Sequence, residues 1–261
     1  MAVFTELSDE DRNTIVEAYG LTGLSSVIGI ADGDRETTYL FRSAEGEFIV
    51  TLFESGAEPL DLERAFKTME TLHGAGIPCP EPRRTVAGNA TFQAAGRLVA
   101  IVSFVSGSST SDPSSAKCGS VGRIMGQIHM SLQGGLTRQP DLPSGPVHGA
   151  LVFANVFFLG DEVSGVINFR LRHDDALIAE IADVLVDWTG VPDGGLDPRK
   201  ARALLSGYQN IRKLSAAEKR ALPAFVLASA AKRAALGART TSVLECALVA
   251  YHSVTPDIFD Q

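Results

Sequence analysis

The spacing of apolar residues changes character several times along the chain, and each change predicts an element. Ser8 ahead of Asp9, Glu10 and Asp11 predicts a helix N-cap with an acidic first turn. Ile15, Val16 and Tyr19 give that helix an apolar face, which stops at Gly20. From Ser25 to Phe53 the pattern is that of strands, at Val27–Ile30, Thr37–Arg42 and Phe48–Phe53, with polar turns between them. This predicts an antiparallel meander. Leu62, Phe66, Met69 and Leu72 then recur at helical spacing over Leu60–His73, before Gly74, Gly76, Pro78 and Pro80 end the run. Two more strands are expected at Thr91–Gln93 and Leu98–Phe104.

The segment Ser106–Pro113 combines Ser, Gly and Pro and reads as a hinge or as a plain surface loop. Beyond it the pattern turns helical. Val121, Ile124, Met125, Ile128 and Leu132 predict a helix over Ala116–Leu132, followed by a Gly/Pro-punctuated loop from Gly134 to Ser144. Short strands at Asn155–Phe158 and Gly165–Phe169 flank the turn Gly160-Asp161-Glu162. Helices are expected over Ala176–Trp188, Pro198–Tyr208, Ala216–Ala235 and Thr240–Tyr251. The layout is α+β in two domains, a β-rich lobe at 1–105 and a helical lobe at 106–261.

Composition narrows the classes of partner. The 261 residues are 45% hydrophobic and 21% charged, ordinary for a globular chain. A formal charge of −8 argues against a general nucleic-acid or anionic-membrane partner. No apolar run approaches the ~18 residues of a membrane span, and the N-terminus lacks a basic region followed by an apolar one. The basic pairs Arg83-Arg84 and Lys232-Arg233 read as solvated faces. Cys79, Cys118 and Cys246 are too dispersed for a metal spacing or a disulfide framework, and are expected as reduced, partly buried thiols in a cytoplasmic protein.

Several segments carry a resemblance. Phe48–Glu54, Gly76–Pro80, Ala100–Gly107, Asn155–Gly160, Arg202–Tyr208 and Leu214–Glu218 resemble the aminoglycoside phosphotransferase and choline kinase superfamily, above all its homoserine kinase branch. The likeness runs from near residue 1 to about 235 and implies a two-lobed protein-kinase-like fold. It also implies roles. Active relatives have a His-x-Asp loop whose Asp accepts the substrate's hydroxyl proton; here the motif is His148-Gly149-Ala150. The loop Asn that helps hold magnesium survives as Asn155. The Ile-Asp-Phe strand that supplies the main magnesium carboxylate is Ile167-Asn168-Phe169. The helix glutamate that orients the phosphate-contacting groups matches Glu70, the nucleotide lysine falls near Thr51, and an aspartate of a later helix corresponds to Glu180. On this likeness Glu70, Asn155 and Asn168 are the cofactor-binding candidates, and no residue is assigned as catalytic or as a metal ligand.

The resemblance also implies losses. Ala150 has no acceptor, and a base in that place contributes typically ~10²–10⁴-fold in rate. Asn168 removes a full negative charge from a site for a hard cation. The turn Asp32-Gly33-Asp34 puts two acids where a loop over phosphates is expected. The helical insert that walls the acceptor pocket is reduced to the loop Met130–Val147. The expectation is therefore a homoserine-kinase-like pseudokinase that binds a small molecule or a protein partner, with ATP and magnesium held weakly. The alternative is an active ATP-dependent small-alcohol kinase using relocated acids such as Asp174 or Glu180. Asp174 and Asp175 otherwise read as a solvated turn with a carboxylate N-cap, His148 as a packed loop residue, and His173 as a surface histidine.

Overall fold

The computed structural model describes residues 5–30, 35–132, 142–236 and 243–259. The turn at Asp32-Gly33-Asp34 and most of the Gly134–Ser144 loop lie outside them, as does the start of the helix expected at Thr240. Contacts divide the chain into two units, Met1–Gly74 with Cys79–Val105, and Ala75–Pro78 with Ser106–Gln261.

The first unit opens on helix α1, Asp9–Ala18. Ser8 caps it reciprocally: its hydroxyl accepts from Asp11 N–H, and the Asp11 carboxylate accepts from Ser8 N–H. Strands β1 (Ser26–Ile30), β2 (Glu36–Ser43) and β3 (Gly46–Phe53) form the expected antiparallel meander. Helix α2 spans Pro59–Gly74 and buries Leu62, Phe66, Met69 and Leu72. Strands β4 (Pro82–Arg83), β5 (Phe92–Ala94) and β6 (Arg97–Ser103) complete a sheet ordered β1-β2-β3-β6-β4, with β5 on β6. Alternation decides the core: Tyr39 and Phe41 of β2 and Phe48, Val50 and Leu52 of β3 pack with Ile15 of α1 and its C-cap Tyr19.

One acid fixes the start of this unit to its sheet. Glu54 accepts from the Thr37 hydroxyl at 2.6 Å, from the Thr5 hydroxyl, and from Arg97 Nε at 2.6 Å. Burial would raise its pKa, but the two hydroxyls and the guanidinium together hold it down at about 2. The stability it contributes is present above the ordinary carboxylate value and is lost as pH falls toward 2. Glu54→Gln is therefore expected to cost about 1–3 kcal/mol at neutral pH. The gap to the parent should close in acid, read by chemical denaturation between pH 7 and pH 2.5. A gap constant with pH would refute the ionised role.

The basic pairs are solvated faces only in part: Lys232 is exposed, while the three arginines are engaged. Arg84 is partly buried between Glu63 (2.9 Å) and Glu70 (2.6 Å), and Arg83 donates to the carbonyls of Tyr19 and Gly20. In the second unit Arg233 pairs with Asp187.

The second unit is built on α3 (Ser115–Ser131), α4 (Leu177–Thr189), α5 (Pro198–Ile211), α6 (Ala216–Leu236) and α7 (Val243–His252). Helix α4 is apolar almost all round and forms the centre, burying Leu177, Ile178, Ile181, Val184, Leu185 and Trp188. The hairpin β8 (Val156–Leu159) with β9 (Glu162–Val166) matches the expected pair, but Asn155 and Asn168 both fall outside its strands. The segment after residue 105 is fastened, not free: Ser108 exchanges two backbone hydrogen bonds with Phe158, at 3.1 and 3.0 Å. A ladder the sequence did not suggest pairs β7 (Ser144–Val147) with β10 (His173–Ala176). Asp174 and Asp175 thus lie on a strand, which corrects the expected turn. The N-cap of α4 is Ala176, without a side-chain cap.

All three cysteines are free and buried. Burial pushes the Cys79 thiol up to about 12 and the Cys118 thiol to about 11, so neither is a ready nucleophile. Among the described residues no helix is long and apolar enough to cross a membrane.

Candidate functional site

The second unit brings together His148, Ala150, Asn155 and Asn168 around one loop. His148 is fully buried at the end of β7 and meets the Phe169 ring edge-on, 4.6 Å between centroids. Its Nδ1 accepts from Ala150 N–H at 3.2 Å, so Nε2 carries the proton and donates to Ile167 O at 3.0 Å. Burial lowers its pKa, which keeps the ring neutral. His148 is a packed frame residue, as expected, with no nitrogen left to act as a base.

Gly149 requires its residue type. Its φ is +79°, and a Cβ there would lie 2.6 Å from Leu171 O and 2.9 Å from His173 Nδ1. Its N–H donates to Glu180 Oε1 at 2.6 Å. Ala150 O accepts from Asn155 Nδ2 at 2.9 Å and from Val152 N–H at 2.8 Å. Leu151 O accepts from the Trp188 indole at 2.6 Å, and Asn155 O accepts from Ile167 N–H at 3.0 Å. The loop is held at nearly every peptide, and the position that lacks a functional group is Ala150.

Behind the loop runs a buried polar chain that sequence reasoning reached only at Glu180. Glu180 Oε2 faces His129 Nε2 at 2.7 Å, and His129 Nδ1 faces the Tyr208 hydroxyl at 2.8 Å. Arg212 donates to that hydroxyl at 3.1 Å and to Glu218 Oε1 at 2.8 Å, and Glu218 Oε2 accepts from Ser215 N–H. Burial alone would raise the Glu180 pKa, but the hydrogen bond and charge of His129, with His148 and the Gly149 N–H, bring it below the ordinary value. Both oxygens of Glu180 are therefore committed. It positions the loop and has no lone pair aimed at a substrate. The signal available beforehand was helical: His129 lies in the last turn of α3, and Arg212, the C-cap of α5, follows Tyr208 by four residues, but only the packing of α3, α4 and α5 joins them.

The remaining acids are equally placed. Asp161 accepts from Ser114 at 3.0 Å, and Glu162 binds Ser120 at 3.0 Å and Arg123 at 2.7 Å, all against α3. Asp174 and Asp175 are exposed, and Asp175 Oδ1 accepts from Ala176 N–H at 2.7 Å. His173 is exposed, with Nδ1 on Leu171 O.

Asn168 is exposed and left-handed, at φ 69° and ψ 54°, with no side-chain cap bond to the 3-10 turn Phe169–Leu171 that follows. Asn and Asp tolerate this conformation better than other side chains with a Cβ, so the amide preserves the backbone while removing the charge. Asn155 turns its nitrogen to Ala150 O and has one oxygen left. Two amides form a weak donor set for a small, hard dication, and among the described residues no three His, Cys, Asp or Glu side chains gather into a cation site. The residues present do not fit a protein-held magnesium. In the first unit, Glu70 is exposed at the end of α2 and held by Arg84 Nε and Nη2, at 2.6 and 3.1 Å. Thr51 lies on β3 opposite Thr38 and Ala100.

Comparison with known proteins places this frame. Residues 26–137 match the phosphotransferase enzyme family. A homoserine kinase of Methylobacterium radiotolerans is 34% identical over 266 residues, covering 85% of this chain and 83% of that protein. A homoserine kinase of Acidiphilium cryptum is 33% identical with the same coverage. The aligned length exceeds the 261 residues of this chain, so these relatives contain segments that it lacks. Among solved structures, amicoumacin kinase hAmiN in complex with AMP-PNP, Ca2+ and Ami superposes with a TM-score of 0.67 at 15% identity, covering 97% of this chain and 94% of that one. A microcompartment-associated aminopropanol kinase gives 0.64 at 18% identity, covering 93% and 94%. The fold is thus the kinase-like one that the resemblance implied, and the chain belongs to the phosphotransferase enzyme family, among the relatives of homoserine kinase.

Proposed function

We propose that this chain holds a small molecule on the homoserine-kinase-like frame and has lost most of the phosphoryl-transfer step. The observation that carries the reading is the contrast within one loop. His148, Gly149, Leu151 and Asn155 are each locked by hydrogen bonds or close packing, while Ala150 offers no acceptor to a hydroxyl. Phosphoryl transfer depends on positioning and charge neutralisation. Removing the base accounts for ~10²–10⁴-fold in rate, and the amide at Asn168 removes protein charge from the cation's place as well.

A second reading is an active ATP-dependent kinase acting on a small alcohol, and the homoserine kinase relatives favour it. Of the relocated acids it needs, Glu180 is fully engaged behind the loop. Asp174 is the carboxylate left, and in this reading Asp174→Ala abolishes turnover.

The two readings separate in one set of assays with ATP, magnesium and homoserine. The first expects ligand-induced thermal stabilisation, worth ~2.7 kcal/mol at a hundred times the Kd, without magnesium-dependent ADP release above background. It also expects Ala150→Asp combined with Asn168→Asp to gain measurable but low turnover. Parental turnover that requires magnesium and disappears in Asn155→Ala would overturn it.

A further inference from the structure

We propose that α7 is a self-association surface, on which a second copy of this chain seats its own α7 antiparallel. A surface helix normally turns its large apolar side chains inward and its polar ones outward. Helix α7 does the reverse with its apolar residues. It buries the small ones, Cys246, Ala247 and Ala250, and packs on α6. The large ones, Val243, Leu244, Leu248, Val249 and Tyr251, are exposed. Leu244 keeps 63% of its surface in solvent, and Leu236, at the end of α6, keeps 80%. Exposed apolar side chains gathered on one face mark an interaction site, whereas scattered ones do not.

The pattern of the face names its occupant. Leu244, Leu248 and Tyr251 follow the four-then-three spacing of a coiled-coil seam, so they form one stripe along the helix. Such a seam packs against another of its kind, and a second copy supplies one by symmetry. Glu245 in the first turn and His252 in the last stand one heptad apart and edge the stripe on the same side. Parallel copies would put these edges on opposite flanks of the seam, where neither finds the other. Antiparallel copies, with the two-fold axis near Leu248, bring Glu245 of each against His252 of the other, so the carboxylate accepts from the ring N–H twice over. The opposed helix dipoles attract as well. Two such faces in contact bury on the order of 1,000 Å², the lower end for a specific interface. The dimer is therefore expected to be weak, with a Kd in the micromolar range.

Sedimentation velocity of the full chain across the micromolar range tests this. The parent is expected to pass from monomer to dimer as its concentration rises. Leu248→Glu sets two acids at the axis and should weaken association by about tenfold or more. Leu244→Gln should weaken it less. Leu159→Glu, exposed on the β8–β9 hairpin, should leave it unchanged. Glu245→Lys should weaken the dimer, and adding His252→Glu should restore it. A parent that stays monomeric throughout overturns the proposal, as does a dimer that neither Leu248→Glu nor Leu244→Gln weakens. Failure of the charge exchange to restore association overturns the antiparallel seating. If Leu248→Glu melts early, Leu244→Gln, at the more exposed position, decides.

Discussion

Glu180→Ala is expected to lower the melting temperature by about 10 °C. The carboxylate is buried inside the second unit with both oxygens in use, one on the Gly149 N–H and one on His129. Truncation leaves two buried donors unpaired and a cavity between α3 and α4. Removing one partner of such a buried pair costs about 3–5 kcal/mol, and each kcal/mol is worth about 2–4 °C in a protein of this size. Glu180→Gln should cost less, about 1–3 kcal/mol, because its amide oxygen still accepts from one donor while its NH₂ opposes the other. The pH dependence has a definite sign. Folding favours the ionised form, so the contribution is complete above the ordinary carboxylate value of 4.5 and fades as pH falls. The difference between parent and Glu180→Gln should shrink in acid. Circular-dichroism melts at neutral and acid pH measure both effects. An alanine variant melting within 2 °C of the parent would show that the buried chain does not hold the loop.

This result also bears on the relocated-acid reading. A collapse of stability in Glu180→Ala cannot be taken as loss of a catalytic group, so only Asp174→Ala tests that mechanism cleanly.

Most of the fold was legible because local signals and tertiary demand agree. The Ser8 cap, the alternation in β2 and β3, and the helical spacing of Leu62, Phe66, Met69 and Leu72 each act within a few residues. What escaped was non-local. The β7–β10 ladder pairs Ser144-Gly145-Pro146-Val147 with His173-Asp174-Asp175-Ala176, segments of low strand propensity that are far apart in the chain. They become strands because each supplies the other's backbone partners. The strand expected to run through Asn168 stops at Val166 because Asn168 is left-handed, and a single residue's φ is not written in periodicity. The candidate site divides the same way. Ala150 and Asn168 are visible as departures from a known pattern, and Asn155 as a retained match to it. Their support from His129, Tyr208, Arg212 and Trp188 is not, because it depends on how helices cross.

That crossing carries the second large effect, in which two neighbouring glycines should behave oppositely. In an exposed helix interior, Gly→Ala stabilises by about 1 kcal/mol. At Gly122 of α3 the new Cβ would lie 2.0 Å from Leu204 O of α5 and 3.0 Å from Tyr208 N. Those are backbone atoms and cannot rotate away, so the helices must separate. Separation strips packing from Val121, Met125, Leu204 and Leu205, which are buried around the contact. It also stretches the 2.8 Å link between His129 of α3 and Tyr208 of α5, through which the buried chain reaches Gly149. Overpacking usually costs about 1–3 kcal/mol, and a backbone-to-backbone clash belongs at the top of that range or above it. Gly122→Ala is expected to destabilise by about 3 kcal/mol. At Gly119, one turn earlier on the same helix, a Cβ would meet Ala203 O at 3.5 Å, an ordinary contact. Gly119→Ala is therefore expected to be neutral or to stabilise by up to about 1 kcal/mol. Denaturant unfolding of the two variants side by side reads the contrast. If both shift stability by the same amount, close approach at Gly122 does not set the spacing of α3 and α5, and the loop at His148–Asn155 is not anchored through that crossing.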